Sequence, residues 1–136
     1  MADTLKLEIV TPDGKAYSQD VEMVTLTGAE GEMGILPHHV RLMTQVLPGE
    51  LVVRRAGNEE LLAVGEGLVE IEANRVSILT DMAIPAESID EAKAEEARQR
   101  AEARLREKLS AEQVASTNAA LTRSLAQLRV KRRRRG

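Results

Sequence analysis

Residues 28–48, GAEGEMGILPHHVRLMTQVLP, decide how this chain is organised. Three glycines fall three residues apart, and a proline and the only two histidines, His38 and His39, follow them. Glycine allows positive φ and close backbone approach, whereas proline fixes φ and removes an amide donor. We therefore predict a shaped, turn-rich connection between short strands, rather than a helix or a long strand. From its spacing alone, the segment is an irregular loop that joins two halves of a β domain.

The sequence on both sides of this segment consists of short apolar runs separated by turn residues. Residues 5–10 alternate between apolar and polar side chains, as in a half-buried strand. Residues 11–14 and 56–58 have the composition of turns. We count eight to ten such runs within about 80 residues, a spacing typical of an antiparallel β-sandwich or flattened barrel.

The character of the sequence changes at Pro85. Residues 88–91, SIDE, form a capping box, in which the serine hydroxyl accepts from the glutamate amide and the glutamate reaches back. Ala, Glu, Arg and Lys then dominate without glycine or proline, which predicts a helix that ends at Leu109. A second capping box, SAEQ at residues 110–113, opens a second helix that ends near Val130.

Two helices with almost no linker predict a tight antiparallel hairpin. We place the apolar face of the second helix on Val114, Leu121, Leu125 and Leu128. Alanine lines the rest of the contact between the helices. Burial of apolar surface contributes about 25 cal/mol per Å², and alanine buries little surface, so we expect a weakly held hairpin. The predicted fold class is mainly β with a C-terminal α-helical hairpin. Its parts are a β-sandwich over residues 1–84, the two-helix hairpin over residues 88–130 and a frayed basic tail over residues 131–136.

The composition excludes several classes of function. The chain has no cysteine, so it has no thiolate metal site and no cysteine nucleophile. Its one aromatic residue, Tyr17, cannot build a base-stacking platform for nucleic acid. No stretch approaches the roughly 20 apolar residues that span a membrane, and the start lacks the features of a secretory signal. The sequence also contains no credible catalytic set, metal-binding motif or phosphate-binding loop, so we expect a non-catalytic protein that stays inside the cell.

Charge is distributed unevenly along the chain. Residues 1–87 carry a net charge of −9, residues 88–109 are neutral, and residues 110–136 carry a net charge of +6. Such asymmetry indicates separate partners or an internal attraction between the two ends. The basic end has three interpretations: a solvated end, a site for nucleic acid or anionic lipid, or a contact for an acidic protein surface.

Three blocks carry a resemblance to a known family. They are G-x-E-G-E-x-G-I-L-P-x-H within residues 28–39, GEGLVEIEANRVSILTDMA at residues 65–83, and LAQLRV at residues 125–130. In this order and spacing the chain resembles the ε subunit of bacterial F-type ATP synthases, essentially from end to end. The resemblance implies a non-catalytic rotor subunit, peripheral to the cytoplasmic face of the plasma membrane. Its implied partners are the γ subunit of the central stalk, the c-ring of the membrane sector and the α/β hexamer of the catalytic head, with no nucleic acid.

The resemblance assigns the contact with the rotor ring to Glu30, Glu32 and His39. Exposed acids and a histidine suit the basic and polar loops of such a ring. The sequence departs from the family pattern at two places. His38 replaces a small residue, and Arg41-Leu42 replaces the common Ala-Pro after the second histidine.

The resemblance also points to a nucleotide site at the start of the first helix. Some bacterial members bind ATP through I/L-D-x-x-R-A, and the corresponding residues here include Asp90 and Lys93, with lysine in place of arginine. Arg100 and Arg123 match further cationic positions of that site, but Gln127 stands where another arginine is usual. Lysine meets a phosphate as a point charge rather than as a bidentate fork. We therefore expect no cofactor and at most weak ATP binding.

In the family, the C-terminal helix contacts an acidic loop of the catalytic β subunits. The resemblance assigns this contact to Arg123 and Arg129 of the present chain. These residues are six apart, or about 240° of helix rotation, so such a contact must wrap around the helix. The function implied is coupling of proton flow to ATP synthesis and inhibition of ATP hydrolysis by the helices. The alternatives are a free-standing binding module that uses the basic tail on nucleic acid or anionic membrane, and a small soluble ATP sensor.

Overall fold

Ten short strands and two helices make up the computed structural model, which describes residues 3–135 and the side chains of residues 3–133. The strands are β1 (Leu5–Thr11), β2 (Gly14–Val21), β3 (Met23–Gly28), β4 (Gly31–Ile35), β5 (Leu42–Val46), β6 (Gly49–Arg55), β7 (Asn58–Val64), β8 (Gly67–Ile71), β9 (Arg75–Thr80) and β10 (Ala83–Pro85). A short 3-10 helix (Ala86–Ser88) leads into α1 (Glu91–Arg104) and α2 (Ala111–Arg135). The predicted class, a β-sandwich followed by two helices, is confirmed.

The strands form one sheet that folds around a single aliphatic core. Its order is β10-β7-β6-β3-β5-β8-β9-β1-β2, with β4 paired to β3 beside this path. Every pair is antiparallel except β1 with β9, which is parallel. In β1 the predicted alternation holds, because Leu5, Leu7 and Ile9 are buried while their neighbours are partly exposed. Valine, isoleucine and leucine fill the whole core cluster of the sandwich.

Residues 28–48 contain more strand than their glycines predict. A tight turn joins β3 to β4, with Gly31 at a φ of 118°, and β4 then pairs along the length of β3. Beyond the β3–β4 turn, the irregular parts are the loop of residues 36–41 and the short connection of residues 47–48. The prediction of a turn-rich connection was therefore wrong for β4. Ile35 is the only buried residue in that strand, so its sequence lacks the alternation of apolar and polar residues by which a half-buried strand is recognised.

The ends of the two helices differ from the predictions at three points. Asp90, rather than Ser88, caps α1, and its Oδ1 accepts from the Lys93 amide at 3.1 Å. The helix ends at Arg104 rather than Leu109, because reversing the chain takes several residues and a single serine is too short a connection. The basic segment after Val130 continues α2 as far as Arg135.

The second capping box is confirmed. The Gln113 amide donates to Ser110 Oγ at 3.2 Å, and the Ser110 amide donates to Gln113 Oε1 at 3.0 Å. Both ends of the motif therefore satisfy amides that a helix start leaves without partners.

Helix α2 packs on α1 along one side and on β6 and β7 along another. Val114 and Leu125, predicted on the apolar face, are 37% and 45% exposed, whereas Thr117 and Ser124 are buried. The hydroxyls of these two residues donate to backbone carbonyls one turn earlier, at 2.7 and 2.9 Å, so their burial leaves no unpaired donor. A second apolar cluster joins the helices to the sandwich and comprises Ala63, Met82, Ala86, Ile89, Ala126 and Val130.

Tyr17 connects β2 with β7, two strands that are not neighbours in the sheet order. Its hydroxyl on β2 donates to Glu60 Oε1 on β7 at 3.4 Å, and Arg55 pairs with the same carboxylate at 2.7 Å. Burial, together with the charge of Glu60, raises the pKa of Tyr17 to about 12. The protonated phenol therefore stabilises the fold below pH 10, and this contribution is lost as the pH rises through about 12.

We predict that absorbance titration of this single tyrosine gives a pKa near 12 and that Glu60→Gln lowers that pKa toward 10. Glu59→Gln, one residue earlier on β7, is the matched control and should leave the Tyr17 titration unchanged. A Tyr17 pKa near 10 in the unmodified protein would contradict this contact between β2 and β7.

Candidate functional site

The residues assigned to the rotor contact lie along the β3–β4 hairpin and the loop that follows it. Glu30 is exposed in the turn before β4, Glu32 is exposed on β4, and His39 is half-buried in the loop after β4. The five residues of β4 place roughly 16 Å between the turn and the loop, at about 3.3 Å per residue. The three side chains are therefore spread along one edge and do not form a single cluster.

The two histidines have separate partners. His38 has a φ of 68°, its amide donates to the Ala73 carbonyl at 2.6 Å, and its Nε2 lies 3.2 Å from Asp3 Oδ2. His39 Nδ1 lies 2.6 Å from the Val40 carbonyl, a contact within its own loop. Among residues 3–133 no group of histidine and acidic side chains could hold a metal ion. The histidines therefore shape and fasten the loop.

Large apolar side chains are exposed beside these residues. Val40 is 79% and Met43 is 63% exposed, and Leu36 and Leu42 are also exposed. A pocket between the β3–β4 turn and β5 is lined by Gly28, Ala29, Glu30, Gly31, Glu32, Met33, Leu42, Met43 and Thr44. Contiguous exposed apolar side chains bordered by acids are typical of a surface that binds another protein.

A second apolar surface lies on the strands that α2 leaves uncovered. Leu68 on β8 faces Leu79 on β9 in register, and the two side chains are 50% and 56% exposed. Val10 on β1 pairs with Leu79 and extends the row across a third strand. The sandwich therefore has one face covered by its own helix and one face open to a partner.

The candidate nucleotide ligands have other contacts or are exposed in the structure. Asp90 is engaged in capping α1, and Lys93 and Arg100 are exposed on that helix. Arg123 is paired with Asp81 at 3.2 Å. Gln127, at the position of the missing arginine, donates to Met82 Sδ at 3.3 Å. The side chains that would have to meet a triphosphate are therefore held by other contacts or point into solvent.

The pairing of Arg123 with Asp81 was not foreseen from the sequence. It joins α2 to the turn between β9 and β10, across 42 residues of sequence. Gly65 makes room for it, because a Cβ at that position would lie 1.7 Å from Asp81 Oδ1. Gly65, the first residue of the block 65–83, is thus required because the Asp81 side chain packs against it. In the sequence, this glycine was the signal that could have pointed to the carboxylate.

A polar cleft lies between the other end of α2 and the outer face of the sandwich. It encloses about 280 Å³ and is lined by Thr25, Leu26, Thr27, Glu32, Glu50, Val52, Glu59, Arg129 and Arg133. Arg133 pairs with Glu50, whose side chain is only 13% exposed. Arg129 is exposed at the edge of this cleft, so Arg123 and Arg129 have different surroundings.

The chain is thus a β-sandwich with two exposed apolar surfaces and a helical hairpin docked on one face. Two family models match the chain: the β-sandwich domain of the ATP synthase delta/epsilon chain over residues 4–86 and its long α-helix domain over residues 87–132. The chain belongs to this family, among the epsilon chains of F-type ATP synthases.

Curated relatives and solved structures agree with this membership. The chain is 43% identical over 132 residues to an ATP synthase epsilon chain of Dehalococcoides mccartyi, a match that covers 96% of this chain and 94% of the relative. It is 40% identical over 128 residues to the epsilon chain of Halorhodospira halophila, over 93% and 91% of the two chains.

A chain of the Euglena gracilis mitochondrial ATP synthase assembly of OSCP, F1 and c-ring superposes with a TM-score of 0.73 at 27% identity, covering 88% of this chain and 76% of that one. A chain of the Tetrahymena thermophila central stalk and c-ring shares the fold, with a TM-score of 0.62 at 16% identity over 97% and 96% of the two chains. Within the described residues, neither helix is long and apolar enough to cross a membrane.

The placement of the nucleotide candidates leads to a prediction about ATP. We expect binding only in the millimolar range, equivalent to about −4 kcal/mol, when the isolated protein is titrated by calorimetry or NMR. Lys93→Arg combined with Gln127→Arg should tighten binding, because guanidinium groups meet phosphate oxygens bidentately. Lys108→Arg, in the linker, is the control. A low micromolar dissociation constant for the parent would contradict the prediction.

Proposed function

We propose that this chain is the rotor subunit that joins the central stalk to the membrane ring of an F-type ATP synthase, couples proton flow to ATP synthesis and restrains ATP hydrolysis. The observation that carries the proposal is the division of the sandwich surface. The docked helix covers β6 and β7, while the loop around Val40 and the row at Leu68 and Leu79 stay exposed. A subunit with two fixed partners needs two such surfaces.

The chain contributes contacts rather than chemistry in this proposal. Its sandwich, residues 1–84, holds the stalk and ring, and its hairpin, residues 88–130, regulates the catalytic head, which keeps the whole protein at the cytoplasmic face of the membrane. The rival function, a free-standing binder of nucleic acid or anionic lipid, gains no support from residues 131–133, the basic residues of the tail whose side chains the structure describes. Lys131, Arg132 and Arg133 all have partners within the chain.

The ring contact in this proposal uses the edge that carries Glu30, Glu32 and His39. The acids are exposed, so basic or polar loops of the ring can reach them. The apolar neighbours Val40 and Met43 supply buried area, which exposed charge pairs alone do not. The row at Leu68 and Leu79 suits the γ subunit, since a stable interface needs an apolar centre.

We predict that Glu32→Lys with His39→Ala lowers the proton pumping obtained per ATP hydrolysed several-fold in reconstituted complexes, while the isolated protein stays folded. The physical reason is a charge reversal at the ring contact combined with a loosened loop. Asp13→Lys, in the exposed β1–β2 turn, introduces the same charge change away from that edge and serves as the control. Unchanged coupling in the double variant would remove these residues from the ring contact.

The hairpin is suited to a regulatory role because two weakly held arrangements of it can compete. In the arrangement seen here α2 lies on the sandwich through small side chains such as Ala63 and Ala126. An acidic loop of a neighbouring β subunit offers Arg123 and Arg129 an alternative partner. The ligand that binds one arrangement better shifts the population toward it. If the linker straightens, residues 88–130 span about 65 Å at ~1.5 Å per residue, enough to reach well up a central stalk.

We predict that removing residues 110–136 leaves assembly and ATP synthesis intact and raises ATP hydrolysis several-fold. Charge reversal of Arg123 and Arg129 should produce part of this rise, and more of it at low salt, because exposed charges are screened beyond about 10 Å at 0.1 M. Charge reversal of Arg104 and Arg106, which have no ion pairs among the described residues, is the control. If truncation leaves hydrolysis unchanged at every salt and nucleotide concentration, the hairpin is not inhibitory.

A further inference from the structure

Three consecutive basic residues near the end of α2 contact three different elements. Lys131 Nζ donates to the Ala86 carbonyl of the 3-10 helix at 3.2 Å. Arg132 pairs with Glu95 of α1 at 3.4 Å, and Arg133 pairs with Glu50 of β6. Side chains of neighbouring residues in a helix point about 100° apart. Three consecutive side chains therefore find separate partners only where other elements pack around several sides of the helix.

The acid that meets Arg133 is the most enclosed of these partners. The Glu50 side chain is 13% exposed, and its Oε2 is buried without a hydrogen-bond partner among the described residues. Glu32 and Glu59 line the same cleft and add negative charge. An enclosed carboxylate is costly unless a cation compensates it, so the packed position of α2 depends on Arg133.

The acid that meets Arg132 is held in its charged form. Arg98 donates to Glu95 within α1 and lowers the pKa of that carboxyl to about 2. Glu95 is therefore an anion near neutral pH, and its pair with Arg132 joins α2 to α1.

We propose that Lys131, Arg132 and Arg133 form an intramolecular clasp that holds the end of α2 against the 3-10 helix, α1 and the acidic sandwich, and that salt or a competing acidic surface opens it. The regulatory consequence rests on the proposed function, but the clasp itself is a property of the isolated chain. Opening it frees the cationic end of α2 and leaves Glu50, Glu32 and Glu59 exposed together.

Removing the two partners of the clasp should have unequal effects. Arg133→Gln leaves the Glu50 carboxylate enclosed without its cation, and departure of the helix relieves that cost. Glu50→Gln removes the ion pair but also removes the enclosed charge, so it should loosen the helix less. The double variant should accordingly open more than the parent protein but no more than Arg133→Gln alone. If the two side chains acted independently, the effects of the two single substitutions on opening would instead add.

Thiol labelling measures this opening directly, because the chain has no cysteine of its own. A cysteine at Ala126, which is 4% exposed between α2 and the sandwich, reacts with a maleimide only when the helix lifts. A cysteine at the exposed Ala103 gives the intrinsic rate. The ratio of the two rates is the opening equilibrium, and circular dichroism verifies that each variant is folded.

We expect the opening equilibrium to rise several-fold from 50 to 500 mM NaCl and roughly two- to fivefold in Arg133→Gln, the range of a single ion pair. Lys108→Gln removes an exposed charge that lies outside the cleft and has no ion pair among the described residues, so it should change the equilibrium little. The charge swap of Glu50→Arg with Arg133→Glu should restore closing. Equal effects of Lys108→Gln and Arg133→Gln, or equilibria insensitive to salt, would overturn the clasp. Neither result would bear on ATPase inhibition, which truncation tests separately.

Discussion

The packing of α2 against β6 and β7 is the contact that determines where the helical hairpin lies on the sandwich. Ala63 and Ala126 are both buried there, and such small side chains let the helix approach the sheet closely but bury little area. The contact is supplemented by two ion pairs, one from Asp81 to the middle of the helix and one from Glu50 to its C-terminal end. The helix is therefore held by small side chains and a few ion pairs, whereas the sandwich beneath it has a core cluster of its own.

The two parts of the chain differ in how they are stabilised, and this difference separates their roles. The sandwich encloses large aliphatic side chains that are fully buried, so its surface edges and loops are held in fixed positions. A fixed scaffold suits permanent contacts with a stalk and a ring. The hairpin depends on alanine, hydroxyls bonded to their own helix and a few ion pairs, which suits an element with two positions.

Local chemistry made part of this structure predictable. Apart from β4, the strands follow from neighbours in sequence, as does the capping box of Ser110 and Gln113, and the structure confirms them. The start of α1 was misjudged because Asp90 competes for the same cap. The candidate site was only partly predictable, because the pairing of Glu50 with Arg133 joins residues 83 apart and no sequence pattern relates them.

Co-purification tests the central claim most directly, because the claim is that this chain serves as a stalk subunit whose open surfaces are occupied by fixed partners. The full-length protein, tagged and expressed in its own cells at native level, would be isolated without cross-linking and its partners identified by mass. The account predicts recovery of the γ subunit, the α/β hexamer and, from solubilised membranes, the c-ring in stoichiometric amounts. Recovery of the protein alone, or with nucleic acid or lipid in place of these subunits, would contradict it.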